Sequence, residues 1–185
     1  LIGEATTFCR KVGGFSATEV ADLLEHFGEG PLGSFLLETT AAIYRRNDDD
    51  GHAPTSINGA SKGRHTPLPL VDTIEDVCGS KGTGKWTIQQ AAELGVPCAT
   101  MAAALDARYL SSRKSERASL AAALADAPQP AASTDPPPAD WVDALRDAIF
   151  ASKLCSHAQG LSVVSAACEA HGGARDLAAL TSAWR

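Results

Sequence analysis

The sequence predicts an all-α fold, and three observations support that class. Alanine, the strongest helix former, is abundant. Runs of β-branched residues are rare, and aromatic residues make up only 5% of the chain. Apolar residues recur at spacings of three and four, as they do on one face of a helix. Because strands and helices do not alternate, we expect no Rossmann domain within these 185 residues.

Composition limits the classes of function. Hydrophobic residues make up 44% and charged residues 21%, which is typical of a globular domain with a sizeable core. The net charge of −6 argues against a nucleic-acid partner, but it allows a small anion held by a few local cations. No apolar run reaches the length of a membrane span and no signal-peptide pattern occurs, so we expect no membrane partner. The five cysteines form no C-x-x-C pair, which predicts neither a metal site nor a disulfide framework and favours a reducing compartment.

Helical signals begin at the N-terminal end. A helix over about 1–12 stops at the glycine pair 13–14. Ser16 and Glu19 form a capping box, S-x-x-E, which opens a second helix. Its predicted core face consists of Val20, Leu23, Leu24 and Phe27.

A third helix is predicted after Pro31, where apolar residues again recur at helical spacing. Its predicted face consists of Leu32, Phe35, Leu36, Thr39 and Ile43. Residues 47–68 lack periodicity and predict a long surface loop. The aspartates at 48–50 within it lack the alternating ligand spacing of a calcium loop. A short helix is predicted over 70–78.

The remaining elements divide the chain into two helical parts, 1–125 and 140–185, with a proline-rich connector over 126–139. The first part closes with a helix over 87–94 and one long helix over 97–125. The predicted core-facing stripe of the next helix is Phe150, Leu154, His157, Leu161, Val164 and Cys168. A helix, a glycine pair and a second helix occur near both ends of the chain, which indicates two related helical halves.

The stretch CGSKGTGKWT at 78–87 resembles a P-loop, because Gly79, Gly84 and Lys85 have the right spacing. However, the position that should carry a magnesium-binding hydroxyl is Trp86, and no buried strand is predicted before it. The alternative interpretations are an ordinary solvated loop and a phosphate-binding loop over 79–87.

Three side chains favour the phosphate-binding interpretation. Lys81 supplies a point charge, and Thr83 supplies a hydroxyl between glycines that let the backbone approach an anion. Arg108 falls on the same helical face as apolar residues, where a cation is costly unless it is paired or reaches a ligand. The alternatives for Arg108 are an ion pair with a carboxylate such as Glu116 and a side chain that lies along apolar surface with its charged end in water. The charged residues of 113–117 predict a solvated helix face, and His157 predicts a core histidine.

Several motifs, in order, resemble the 6-phosphogluconate dehydrogenase family over nearly the whole chain. KGTGKWTIQQAAELGVP at 81–97 is similar to the family's K-G-T-G-K-W-T signature, and ALDARYLSSRKSER at 104–117 is similar to its A-R-x-L-S-S and K-x-E-R motifs. SFLLETTAAI at 34–43 and ASKLCSHAQGL at 151–161 resemble two further segments, although His157 replaces a family tyrosine. The final Trp-Arg pair resembles the start of a W-R-G-G block.

This resemblance implies a helical C-terminal domain, built from two related halves, that helps to form a homodimer. It implies an NADP-dependent, decarboxylating enzyme of the pentose phosphate pathway, without a metal, in the cytoplasm or a plastid. Its substrate would be 6-phosphogluconate, and the phosphate would contact Lys81, Thr83 and Arg108. The NADP-binding domain and the catalytic lysine and glutamate of the family would precede Leu1, so we expect no catalytic and no cofactor-binding residue in this segment.

The sequence also allows two other functions. If the 185 residues were the whole protein, it would be a truncated, inactive relative that acts as a helical structural subunit of a larger assembly. A related β-hydroxyacid dehydrogenase is the weaker alternative, because those enzymes lack the K-G-T-G-K-W stretch. The first residue and the abrupt end favour a fragment of a longer chain.

Overall fold

The computed structural model describes residues 1–48, 68–128, 137–173 and 176–183. Within these ranges the structure is helical, and its β pairing is an isolated antiparallel bridge between Asn47 and Pro69. The all-α prediction is therefore confirmed. The helices are α1 (Ile2–Lys11), α2 (Ala17–Gly28), α3 (Phe35–Arg45), α4 (Leu70–Thr73), α5 (Thr83–Glu93), α6 (Ala99–Ser112), α7 (Lys114–Ala123), α8 (Trp141–His171) and α9 (Leu177–Ala183).

The chain divides into two compact units. Unit 1 consists of residues 1–75 and 131–151, and unit 2 consists of residues 76–130 and 152–185. The sequence-based parts 1–125 and 140–185 follow chain order instead of contacts, and that division stays a prediction. Most of the predicted loop over 47–68 and most of the connector over 126–139 lie outside the described residues.

The core of unit 1 is built on α2, as its sequence predicts. The Ser16 hydroxyl accepts a hydrogen bond from the Glu19 backbone N–H, and the Glu19 carboxylate accepts one from the Ser16 N–H, so the capping box is confirmed. Val20, Leu24 and Phe27 are buried and Leu23 is half-buried. The helix therefore begins and buries the face that its own residues specify.

The first residues of α8 complete this core. The Trp141 ring lies 5.6 Å from the ring of Phe8 and 5.2 Å from that of Phe15, measured between centroids. It also lies against Gly13, where an added Cβ would be 2.7 Å from the indole. A side chain at Gly13 would force the indole to shift, so the glycine pair that ends α1 also makes room for Trp141.

The predicted face of α3 is wrong within the helix itself, although Leu32, which precedes the helix, is buried as predicted. Leu37, Ala41 and Tyr44 are buried, whereas 76% of the Phe35 surface and 65% of the Leu36 surface are exposed. Ser34 caps the helix by accepting a hydrogen bond from the Leu37 N–H, at 3.3 Å. Both faces of this helix carry apolar residues at helical spacing. Packing against α2 therefore decides which face is buried, and periodicity alone could not.

Three glycines with G-x-G-x-x-G spacing, at 28, 30 and 33, lie at the end of α2 and in the turn that follows it. A dinucleotide-binding turn requires a strand before these glycines and a helix directly after them. Here the turn follows α2, so the spacing has no dinucleotide context. An added Cβ at Gly33 would be 2.7 Å from the carbonyl oxygen of Gly28. Because the backbone approaches this closely, position 33 requires a glycine.

Unit 2 contains α5, α6, α7 and α9 with the rest of α8. Its buried cluster consists of Ala91, Cys98 and Val163, with four half-buried side chains packed against it: Ile88, Leu94, Val96 and Met101.

Three sequence-based helix boundaries are corrected, two in unit 2 and one, that of α4, in unit 1. The predicted helix over 97–125 is broken at Arg113, whose backbone (φ −94°, ψ 48°) leaves the helical region. The helix predicted at 87 begins instead at Thr83, because Gly82 at φ 96° starts it earlier. α4 covers only the first four residues of its predicted range, 70–78.

The predicted core stripe of α8 is wrong in its first half. Leu154 is 56% exposed, Phe150 is 38% exposed, and His157 is exposed with its Nδ1 atom 2.8 Å from the Lys153 carbonyl oxygen. The buried residue of this helix in unit 2 is Val163. His157 is therefore a surface residue and not a core histidine.

No helix in the described ranges has both the length and the apolar character that a bilayer crossing needs. Those same ranges contain no group of three or more His, Cys, Asp or Glu side chains arranged to hold a metal ion.

Candidate phosphate-binding site

The site is built around the N-terminus of α5. Gly82 is the N-cap residue and has a left-handed backbone, at φ 96°. The first bond of the helix runs from the Trp86 N–H to the Gly82 carbonyl oxygen, at 3.1 Å. The N–H groups of residues 83–85 come before that bond, so they have no partner within the helix. Unpaired amides and the positive end of the helix dipole favour an anion at this position.

Arg108 approaches the same loop from α6. Its Nε atom donates a hydrogen bond to the Gly79 carbonyl oxygen, at 3.2 Å, and its Nη2 atom donates to Cys78 Sγ, at 2.9 Å. Across the described residues Arg108 has no carboxylate partner, and Glu116 lies 3.6 Å from Arg113 instead. The alternative of an Arg108 ion pair therefore does not hold, and the guanidinium keeps its positive charge available to a ligand.

A cavity of about 480 Å³ lies between α5 and α6. Lys81, Thr83 and Arg108 all line it, so the structure brings the three residues singled out from sequence to one place. The remaining lining residues are Ser80, Gly84, Thr87, Met101, Ala104 and Leu105.

The charges around this cavity are positive. None of its described lining residues is acidic, while Lys81 and Arg108 are cationic. Within the described part of the chain, neither the Lys81 ammonium nor the Thr83 hydroxyl makes a hydrogen bond or an ion pair, and both groups can serve as donors to a ligand. Two cations, a hydroxyl and a helix N-terminus form a chemical environment that matches a phosphate group.

Trp86 is a surface residue and not part of a core, since 63% of its surface is exposed. Its ring lies beside Gly82, 3.5 Å from where an added Cβ would be. The residues before the loop form no strand: 74–82 contain only bends and irregular structure. The loop therefore lacks both the strand and the hydroxyl position that a P-loop requires.

The helix that carries Arg108 is fixed at its start by a contact that sequence reasoning did not predict. Gln159 of α8 accepts a hydrogen bond from the Thr100 backbone N–H, at 3.0 Å, and donates one to the Thr100 hydroxyl, at 3.1 Å. This side chain caps α6, which has no side-chain cap of its own at Cys98. Gln159 belongs to the segment ASKLCSHAQGL at 151–161, so this segment supports the helix that carries Arg108.

A second support lies at the other end of α6. Asp76 contacts Lys114 and Arg117, at 2.9 Å and 3.0 Å. The cluster over 113–117, predicted to be a solvated helix face, is therefore partly engaged with the segment before the loop. Sequence reasoning missed this contact because the partners lie more than 35 positions apart and no local pattern joins them.

Comparison with known proteins gives a family. The family model described as 6-phosphogluconate dehydrogenase, C-terminal domain, matches residues 1–185. Over the whole chain, the protein is 41% identical to a relative from Oryza sativa subsp. japonica named 6-phosphogluconate dehydrogenase, decarboxylating 2, chloroplastic. It is 36% identical to the decarboxylating 6-phosphogluconate dehydrogenase of Synechococcus elongatus, again over the whole chain.

The fold agrees with a solved structure. The Plasmodium falciparum 6-phosphogluconate dehydrogenase superposes with a TM-score of 0.79 at 30% identity, over 93% of this chain and 33% of that one. The chain likewise spans 35% of the rice relative and 36% of the Synechococcus relative. The chain thus belongs to the 6-phosphogluconate dehydrogenase family, and the match is to the family's helical C-terminal domain.

Proposed function

We propose that this chain is the substrate-binding and dimer-forming part of an NADP-dependent, decarboxylating 6-phosphogluconate dehydrogenase of the pentose phosphate pathway. The observation that carries the proposal is the convergence of Lys81, Thr83 and Arg108 on one cavity at the N-terminus of α5. The Plasmodium relative is solved with its cofactor NADP+ and with its substrate 6-phosphogluconate, which supports the choice of both ligands.

In this proposal the substrate's phosphate dianion occupies the cavity. Lys81 contributes a point charge, and Arg108 donates hydrogen bonds to two oxygens while its Nε atom stays bonded to Gly79. The Thr83 hydroxyl and the first amides of α5 donate to the remaining oxygens. Together these contacts would hold the phosphate end of the sugar acid and orient its reacting carbon for oxidation.

The complete reaction oxidises the 3-hydroxyl of 6-phosphogluconate and releases carbon dioxide, which leaves ribulose 5-phosphate. NADP, when bound, supplies the hydride acceptor, and no residue of this segment is proposed to hold it. The oxidation needs a base near the 3-hydroxyl, and the enediol left after carbon dioxide departs needs an acid that protonates its carbon. We assign neither role to this chain, because the family resemblance places both residues before Leu1.

The dimer-forming role is supported by apolar side chains on the surface. Phe35 and Leu36, which are neighbours on α3, are 76% and 65% exposed. Adjacent apolar side chains form part of a contiguous surface patch, the kind of surface that marks a protein interface. Sedimentation of the complete protein carrying Leu36→Glu tests this role, since a charge in a buried interface should shift the protein from dimer to monomer.

The proposed compartment is the cytoplasm or a plastid. The name of the rice relative and that of an Arabidopsis thaliana relative include the word chloroplastic, which supports the plastid alternative.

Lys81→Ala in the complete protein tests phosphate recognition. Loss of one charge-assisted contact should raise the KM for 6-phosphogluconate by roughly 10- to 100-fold. The KM for NADP should not change. Lys85→Ala is the matched control, because Lys85 is an exposed lysine of the same loop whose side chain does not line the cavity. Equal KM values for 6-phosphogluconate in both variants and the unchanged protein would overturn the assignment.

A further inference from the structure

Arg117 makes an unusual number of contacts for a residue of an exposed helix face. Its Nε atom donates to the Leu110 carbonyl oxygen, at 3.1 Å, and its Nη2 atom donates to the Ser111 carbonyl oxygen, at 3.0 Å. These two carbonyls belong to the last turn of α6, where backbone acceptors lack a partner within the helix, although the Leu110 carbonyl also accepts the Arg113 N–H, at 3.2 Å. Arg117 thus caps the C-terminal end of the helix that carries Arg108.

The same guanidinium also holds the segment that leads into the phosphate loop. Nη1 donates to the Asp76 carboxylate, at 3.0 Å, and Nη2 donates to the Asp76 carbonyl oxygen, at 2.8 Å. Two residues further on, the Cys78 N–H donates to the Ser111 hydroxyl, at 3.0 Å. Residues 76–78 are therefore fastened to the end of α6 through both backbone and side-chain groups.

Charge keeps this connection intact at neutral pH. Lys114 and Arg117 donate hydrogen bonds to Asp76 and hold its pKa below the usual value, so the group remains a carboxylate. In the described ranges, the charged groups that face Asp76 are these two cations, both from α7. The ion pairs of the Asp76 carboxylate therefore persist down to acidic pH and are lost as pH falls through the lowered pKa, whereas the hydrogen bonds to the Asp76 carbonyl and from the Cys78 N–H do not depend on this charge.

Beyond Cys78 the chain enters the phosphate site directly. The Gly79 carbonyl accepts the Arg108 Nε hydrogen bond, and Lys81 follows two residues later. The position of this short segment therefore sets both the orientation of the Arg108 guanidinium and the place of Lys81. Arg117 itself does not line the cavity.

We infer that Arg117 is a positioning residue for substrate phosphate: it fastens residues 76–79 to the end of α6 and so aligns Arg108 with Lys81. The inference rests on the proposed function. This positioning role requires a planar guanidinium with several fixed donors, because the side chain bonds four separate acceptors at once. A lysine has the charge but cannot reach these acceptors together.

The test uses the complete dehydrogenase with Arg117→Lys and Arg117→Met, and with Arg113→Met as the matched control. Arg113 is a neighbouring arginine whose side chain is paired only with Glu116 in the described structure, at 3.6 Å. We expect both Arg117 variants to raise the KM for 6-phosphogluconate by roughly tenfold, the equivalent of about one lost hydrogen bond to a charged group. The kcat and the KM for NADP should stay within about twofold, and Arg113→Met should behave as the unchanged enzyme.

A purely structural role would have a different signature. It would lower kcat and raise both KM values together, and that result would overturn the inference, as would an unchanged KM for 6-phosphogluconate in Arg117→Lys. Ser111→Ala is the milder variant if the others fail to fold: it removes the hydroxyl that accepts the Cys78 N–H and donates to the Asp76 carbonyl oxygen, and it should raise the same KM by a few-fold. An unchanged KM in Ser111→Ala would then contradict the inference.

Arg108→Ala separates this inference from the proposed function. If Arg108→Ala leaves the KM for 6-phosphogluconate unchanged, the phosphate site itself is wrongly placed. If Arg108→Ala raises that KM while the Arg117 variants do not, the assignment of the phosphate site is supported and the positioning role of Arg117 is wrong. In the double variant Arg108→Ala/Arg117→Met, the increase should be smaller than the product of the two single increases. A full product would overturn the inference.

Discussion

The Nε atom of Arg108 lies 3.2 Å from the carbonyl oxygen of Gly79, so the arginine on α6 is bonded to the backbone of the loop that precedes α5. This contact uses one N–H donor of the guanidinium, and the contact with Cys78 Sγ uses a second, so the remaining donors are left for a ligand. It also means that the charge and its supporting loop are positioned together. The phosphate-binding proposal depends on that arrangement.

The first prediction concerns Arg108→Lys in the complete protein. The lysine keeps the positive charge but cannot donate to Gly79 and to two phosphate oxygens together. We expect the KM for 6-phosphogluconate to rise by about tenfold, with a smaller change in kcat. Steady-state kinetics at fixed ionic strength measure both. An unaltered KM would show that only the charge matters.

The second prediction concerns the glycines of the loop. Gly82 has φ 96°, a conformation that costs an L-residue about 1–2 kcal/mol, so Gly82→Ala should lower the free energy of unfolding by that amount. The methyl group has room, since its nearest neighbour would be the Trp86 ring at 3.5 Å. The cost therefore comes from the backbone and not from a clash.

Gly79→Ala is the control for this effect. Gly79 has no left-handed backbone, and an added Cβ would meet nothing within 4 Å. Urea unfolding of the two variants should separate them by about 1 kcal/mol or more. Equal stability would contradict the positive φ at residue 82.

The third prediction tests the corrected face of α3. Leu37 is 3% exposed and Leu36 is 65% exposed. Leu37→Ala should lower the free energy of unfolding by about 2–5 kcal/mol, because it removes buried methyl groups and leaves a cavity. Leu36→Ala should change it by about 0.5 kcal/mol or less in the monomer. Urea denaturation at a protein concentration low enough to dissociate the proposed dimer, with Leu36→Ala as the matched substitution, decides between the two faces, and a larger effect at Leu36 in that monomer would support the face predicted from sequence.

The fourth prediction concerns thiol reactivity. Burial raises the pKa of Cys9, so its side chain stays a protonated, unreactive thiol at neutral pH. Cys78 is exposed. Brief treatment with iodoacetamide at neutral pH, followed by peptide mass spectrometry, should label Cys78 and leave Cys9 unmodified. Labelling of Cys9 at the same rate would contradict the packing of α1 against α2.

Local signals in the sequence were sufficient for part of the fold. The capping box at Ser16 and the helix stops at the glycine pairs involve neighbouring residues, and their chemistry is the same in any context. The face of α3 and the break at Arg113 could not be predicted in this way. In the first case two apolar faces compete, and in the second no glycine or proline marks the break.

The same distinction applies to the candidate site. Lys81 and Thr83 could be identified because the glycines around them form a recognisable local motif. Arg108 could be identified as a cation on an apolar helical face. Arg117 could not, because its partner Asp76 is 41 positions away and its own neighbours are charged, as on any solvated helix. Long-range hydrogen bonds of this kind have no signature in the local sequence.

The central claim is that a phosphate dianion binds between Lys81 and Arg108. Its most direct test is isothermal titration of 6-phosphogluconate into the complete protein and into its Arg108→Ala variant, without NADP. The claim predicts a Kd at least about tenfold weaker in the variant. An identical Kd in the two proteins would contradict it.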